Sequence, residues 1–165
     1  MDPSFITPFI TSIQNVFSTM LQLEVEIEDP ALKSAPNPTY DISGIIGMSG
    51  DVVGTVVLSF ERGAAARIVA LFAGMELEPE EPDFADAIGE LVNMVSGGAK
   101  ALFSDAAVSI SCPSVIIGSG HTIATPSDTP VVVIPCRTHC GEITIEIAIK
   151  DANQAGATRS AQHAA

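Results

Sequence analysis

Basic residues are scarce in this chain. Seven Lys and Arg stand against twenty Asp and Glu, a formal net charge of −13 at pH 7. That deficit argues against nucleic acid as a partner, because phosphate backbones are held by Lys and Arg. It argues equally against an anionic membrane surface. Long apolar runs are missing too: no stretch approaches the roughly 18 uncharged apolar residues of a spanning helix. The opening residues, MDPSFITPFI, lack the basic segment that begins a secretory signal, so a cytoplasmic protein is expected. Cysteine is limited to Cys112, Cys136 and Cys140, an odd number. Free buried thiols in a reducing compartment are the expectation. Cys136 and Cys140 flank His139, but no fourth ligand stands at a usual zinc spacing, so no metal site is expected.

What is present is apolar. Hydrophobic residues make up 47% of the chain and charged ones 16%, which excludes a disordered acidic tail protein. The 165 residues fit a single domain, since domains commonly run to roughly 100–200 residues. A chain of this length buries a sizeable core without disulfide or metal.

Residues 9 to 23 read as an amphipathic helix. Phe9, Ile13, Val16, Phe17, Met20 and Leu21 fall on one stripe. Residues 23 to 27 alternate strictly and read as a half-buried strand. Residues 28 to 39 carry three prolines and read as a loop. Strands at 40–49 and 51–60 flank Gly50-Asp51. So short a connection requires an antiparallel hairpin. Residues 64 to 74 form a second helix that ends at a glycine. The acidic run 76–83 is a linker whose charges suit the N-terminus of the third helix, residues 84–103. Three strands follow near 109–118, 131–135 and 142–150. Residues 153–165 have no apolar period and read as a flexible tail behind a single domain at 1–152.

The two halves resemble each other. Ser12-Ile-Gln-Asn15 and Glu90-Leu-Val-Asn93 each open a helix-then-strands run, and Gly54-Thr-Val-Val-Leu58 resembles Gly141-Glu-Ile-Thr-Ile145. The expected architecture is α/β of the α+β type. An antiparallel sheet carries long helices and is built from two pseudo-repeated halves.

The third helix has two faces. Phe84, Ile88, Leu91, Val95, Ala99 and Leu102 cluster on one side at 100° per residue. Asp86, Glu90, Asn93, Gly97 and Lys100 run along the other. Glu90 and Asn93, three apart, point the same way. A plain solvated face is one reading of this stripe. Against it, an exposed mid-helix Asn gains little for the fold. Gly97-Gly98 costs about 1–2 kcal/mol of helix stability relative to alanine, and a glycine on such a stripe admits another molecule's backbone. The stripe therefore reads as a docking face, with Asp86, Gly97 and Lys100 around Glu90 and Asn93.

The run Asp86-Ala-Ile-Gly-Glu-Leu-Val-Asn-Met-Val-Ser-Gly-Gly-Ala-Lys100 resembles the signature helix of the CheC/CheX chemotaxis phosphatases, with its E-x-x-N core. Pro8-Phe-Ile10, Asn15-Val-Phe17, Asp41-Ile-Ser-Gly-Ile-Ile-Gly47, Val115-Ile-Ile-Gly-Ser-Gly-His121 and Pro126-Ser-Asp-Thr-Pro130 are similar to CheX in the same order. The resemblance covers roughly residues 5 to 150. It implies a phosphatase acting on the aspartyl phosphate of a CheY-like receiver domain. It implies that Asn93 orients the attacking water and that Glu90 pairs with the receiver's active-site lysine. The receiver would supply the phosphoaspartate and Mg²⁺, leaving this chain without a cofactor of its own. A homodimer formed through the sheets is also implied. Ser12 stands where a two-site CheC relative carries its first acid, which implies one site per chain. Ser12 and Asn15 are then expected on the outer face of a packed helix.

The implied division of labour agrees with the chemistry. Phosphoryl transfer relies on positioning and charge neutralisation. A carboxamide holds a water without ionising, whereas an exposed carboxylate is a weak general base. The competing functions are a non-catalytic receiver-binding or flagellar-switch adaptor, and a ligand-binding domain using Gly118-Ser-Gly-His121 as a phosphate cradle. The adaptor has no need of Asn93. The cradle lacks the helix that phosphate sites favour, which leaves His121 as a loop residue.

Overall fold

A computed structural model describes residues 3–34, 40–103, 106–125 and 128–152. Helix α1 (Thr7–Val16) runs straight into a π-helical turn, Phe17–Leu21. Two short strands follow, β1 (Glu26–Ile27) and β2 (Ala31–Leu32), then the long hairpin β3 (Ile42–Gly50) and β4 (Val52–Phe60). Helices α2 (Arg62–Ala73) and α3 (Pro82–Ala101) come next. Strands β5 (Val108–Ile110), β6 (Ser114–Ile117), β7 (Val132–Thr138) and β8 (Gly141–Asp151) complete the order. The tail expected at 153–165 lies outside the described residues.

Among the described residues, eight strands join one antiparallel sheet in the order β1-β7-β8-β4-β3-β5, with β2 also on β7 and β6 also on β3. The short strands that follow α1 pair with β7, and those that follow α3 pair with β3. The register stacks one face in rows: Ile42, Phe60, Ile143 and Cys136; then Gly44, Leu58, Ile145 and Ile134; then Ile46, Val56, Ile147 and Val132. Helix α3 lies against β3, β5 and β6, α2 lies against β8, and α1 packs chiefly on α3. Phe9, Phe17, Phe60 and Phe84 are fully buried between these layers, each worth about 1.5–3 kcal/mol.

The other face of the sheet is covered in places by chain crossings. Lys33 reaches Glu146 at 2.8 Å, with both side chains close to fully buried. Ser43 bonds Ser59 at 2.8 Å, and His121 Nε2 meets Ser43 Oγ at 2.8 Å.

Several elements differ from the sequence reading. The first helix stops at Leu21, where Gln22 turns left-handed at φ 51°. The π turn shifts the helical period, so Met20 is half exposed while Phe17 and Leu21 stay inside. Residues 23–27 keep the expected alternation of burial, but only Glu26 and Ile27 pair. The proline loop contains β2. Helix α2 starts two residues early and ends as expected, with Gly74 at φ 72°. The strand expected at 109–118 is two strands broken around Pro113. The strand expected at 131–135 runs on through Pro135 to Thr138. Leu102, expected in the core, is half exposed because α3 ends one residue before it.

Candidate active site

Helix α3 is started by Pro82 in its first turn, where the missing N–H costs nothing, with Asp83 at its positive end and Lys100 at its negative end. Its inner face buries Phe84, Ile88, Leu91, Val95 and Ala99. Its outer face carries Asp86, Glu90 and Lys100 exposed, with Asn93 and Gly97 half-buried between them. The structure thus brings together all five residues expected on the stripe.

No side chain among the described residues hydrogen-bonds or ion-pairs with Asp86, Glu90, Asn93 or Lys100. Their polar groups face outward unclaimed. Two open grooves, of about 610 and 670 Å³, lie where the end of α1 meets residues 22–27, and both are lined by Gln14, Glu24 and Val25. Among the described residues, no three His, Cys, Asp or Glu side chains gather as a metal site. An outward-facing carboxylate and carboxamide on a helix can enter a cleft on another protein.

The glycine pair divides. Gly97 is open: a Cβ placed there would have nothing within 4 Å. Gly98 faces inward, where a Cβ would overlap Ser12 Oγ and lie 3.3 Å from Ser12 Cβ. Gly97 thus stays open on the outer face, while Gly98 lets α1 approach.

Ser12 also departs from expectation. It is 3% exposed and donates to the Val95 carbonyl at 2.7 Å. It lies in the α1–α3 crossing rather than on an outer face, because the close approach at Gly98 turns that side of α1 inward. Asn15 is exposed as expected. The burial pattern of α1 matches that of α3 best with Thr11 beside Glu90 and Gln14 beside Asn93, one residue earlier than the sequence motif aligns them. Gln14 is engaged elsewhere, its Nε2 donating to the Val25 carbonyl at 3.2 Å.

The Gly118–His121 segment is a turn tied inward. Gly118 N–H donates to Asp41 O, and His121 uses one ring nitrogen on Gly118 O and the other on Ser43 Oγ. Cys136 and Cys140 are buried as expected, and burial pushes the Cys136 thiol up to about 12 and raises that of Cys140. Cys112 is exposed instead, on the break between β5 and β6 beside Pro113.

The family described as chemotaxis phosphatase CheX matches residues 42–137, which include the whole of α3. The chain belongs to the CheX family. A Thermotoga maritima relative named CheY-P phosphatase CheX is 29% identical over 98 residues, 59% of this chain and 63% of that protein. The solved chemotaxis protein CheX of Desulfovibrio desulfuricans aligns with a TM-score of 0.82 and 33% identity over 88% of this chain and 99% of its own. The CheX of a CheX–CheY–BeF₃–Mg²⁺ complex from Borrelia burgdorferi shares the fold, with a TM-score of 0.73 and 21% identity over 89% and 98% of the two chains. No described helix is long and apolar enough to cross a membrane.

Proposed function

We propose that the chain hydrolyses the aspartyl phosphate of a CheY-like receiver domain. Asn93 places the attacking water and Glu90 docks on the receiver's lysine. The observation that carries this reading is the pairing of Glu90 and Asn93. They stand one turn apart on an outward stripe, without side-chain partners among the described residues.

The reaction suits these groups. Water attacks phosphorus, the bond from phosphorus to the carboxylate oxygen breaks, and the receiver's aspartate leaves as a carboxylate. A carboxylate is a good leaving group, so the enzyme need supply little acid catalysis. In-line placement of the water is the main task. The Asn93 carboxamide accepts from that water through its oxygen and leaves its NH₂ for the phosphoryl oxygens. Glu90 forms a salt bridge that is desolvated only on docking, which fixes register. Mg²⁺ would come with the receiver and offset the repulsion between two acidic partners. Asp86, Gly97 and Lys100 frame the contact.

We read one such site per chain. Ser12 is buried against α3 and so has no route to a docked receiver. We also read the halves as a duplicated unit, supported by the reciprocal pairing of the short strands. The working form in this reading is a cytoplasmic homodimer.

The test charges a purified receiver with phosphate, adds this chain and times the loss of phosphate. Acceleration by the wild type supports the reading. Glu90→Gln should weaken receiver binding more than it slows the bound complex. Unchanged saturation with a collapsed rate would assign Glu90 to chemistry instead.

A further inference from the structure

We propose that Gly44 is a positioning residue for Asn93, acting through Val92. The inference rests on the reading of Glu90 and Asn93 given above.

Gly44 lies in the interior of β3, paired with Leu58 on one side and Val115 on the other. Its φ is outside the left-handed range, so the backbone there suits any residue. Glycine weakens a strand interior, and here no turn calls for it. What it provides is room. A Cβ on Gly44 would overlap Val92 Cγ2 and stand 3.2 Å from Val92 Cβ and 3.4 Å from Cγ1. Val92 is 1% exposed. A β-branched side chain on a helix is held to one dominant χ1 rotamer, so Val92 cannot swing aside. The helix itself has to move.

That movement would be local. Helix α3 is held before this point by Ile88, fully buried, and after it by Gly98 closed on Ser12. A push at Val92 therefore bows the helix between its anchors. Val92 sits between Glu90 and Asn93 in the same turn. A bow there changes the placement of the carboxamide relative to the docking carboxylate. Displacements of about 1 Å are enough to cost about 10²-fold in a positioned reaction. The close seat of α3 on Gly44 thus sets the relation between the group that docks and the group that orients water.

The experiment measures receiver dephosphorylation for wild type, Asn93→Ala, Gly44→Ala and Gly44→Ala/Val92→Ala. It runs well below each unfolding midpoint, with saturation and single-turnover rates taken separately. Gly44→Ala should lower the bound rate by about 10-fold or more while receiver affinity stays within about twofold. Removing the Val92 methyls should restore most of that rate. Should Gly44→Ala not fold, Val92→Ile adds bulk from the helix side and should give the same split. Gly47→Ala, whose Cβ would meet only Ser111 at 3.6 Å, should match wild type. A normal rate in both Gly44→Ala and Val92→Ile, with Asn93→Ala dead, would overturn the inference and leave the phosphatase reading intact. So would rate and affinity falling together, or a double variant no faster than Gly44→Ala. An inactive wild type would instead remove the reading on which the inference rests.

Discussion

Ser12 and Val95 are joined across the α1–α3 crossing, the serine hydroxyl donating to the main-chain carbonyl at 2.7 Å. The side chain that the sequence motif aligns with Glu90 is thereby spent on helix packing.

Ser12→Ala should cost about 1 kcal/mol, the usual net worth of one buried hydrogen bond. Asn15→Ala, on the exposed side of α1, should stay within about 0.5 kcal/mol of wild type. Denaturant midpoints at constant slope check both. A large loss of phosphatase activity in Asn15→Ala would show that the first half still works.

The Lys33–Glu146 pair is 2.8 Å long, with side chains 11% and 8% exposed. Removing one partner leaves a buried charge alone. Glu146→Leu should destabilise by about 3–5 kcal/mol, and Lys33→Met/Glu146→Leu should recover much of the loss. Urea unfolding of the three proteins tests this, and equal stability of the single and double variants would contradict it.

Thiol labelling should divide the cysteines. Cys112 is exposed, whereas Cys136 is 2% exposed with its thiol pushed up to about 12. The thiolate is the reactive form. One thiol per native chain should react quickly with an aromatic disulfide reagent, and three should react in denaturant. Rapid native reaction of Cys112→Ser would mean that the buried pair opens.

Stability should fall in alkali. The Cys136 thiol loses its proton near 9 when unfolded and near 12 when folded, because burial disfavours the thiolate. Tyr40 is raised from 10 to about 12, first by burial and then by its bond to Glu142. Between these values the unfolded chain holds fewer protons than the folded one, so rising pH favours unfolding. Urea midpoints should decline from pH 9 towards 12, with a shallower slope in Cys136→Ala. A slope unchanged by that substitution would assign the decline to other groups.

The β3–β4 hairpin and the α3 stripe were legible from residue pattern because each depends on local geometry. Gly50-Asp51 leaves no room for a crossover, and period-3.6 spacing alone puts Asp86, Glu90 and Asn93 together. The strand through Pro135 was not legible. A residue's N–H and C=O point to the same side of a strand, and Pro135 O takes the Glu28 N–H on the β1–β2 side. Its missing N–H therefore costs the β7–β8 ladder nothing. Ser12 was misread, and the role of Gly98 was not legible, for a different reason. Their burial depends on how α1 crosses α3, a relation between residues more than eighty apart. Gly44 gave no signal either, since only the seating of Val92 shows why that strand lacks a side chain.

The central claim is that Asn93 positions the water that hydrolyses a receiver's aspartyl phosphate. The direct measurement is phosphate release from a phosphorylated CheY-like receiver with Mg²⁺ present, comparing wild type with Asn93→Ala. The substituted side chain is half-buried and partnerless among the described residues, so stability should barely change. Wild type should accelerate release and Asn93→Ala should lose about 10²-fold or more of that acceleration, with its circular dichroism and melting unaltered. A folded Asn93→Ala protein that is as active as wild type would contradict the account.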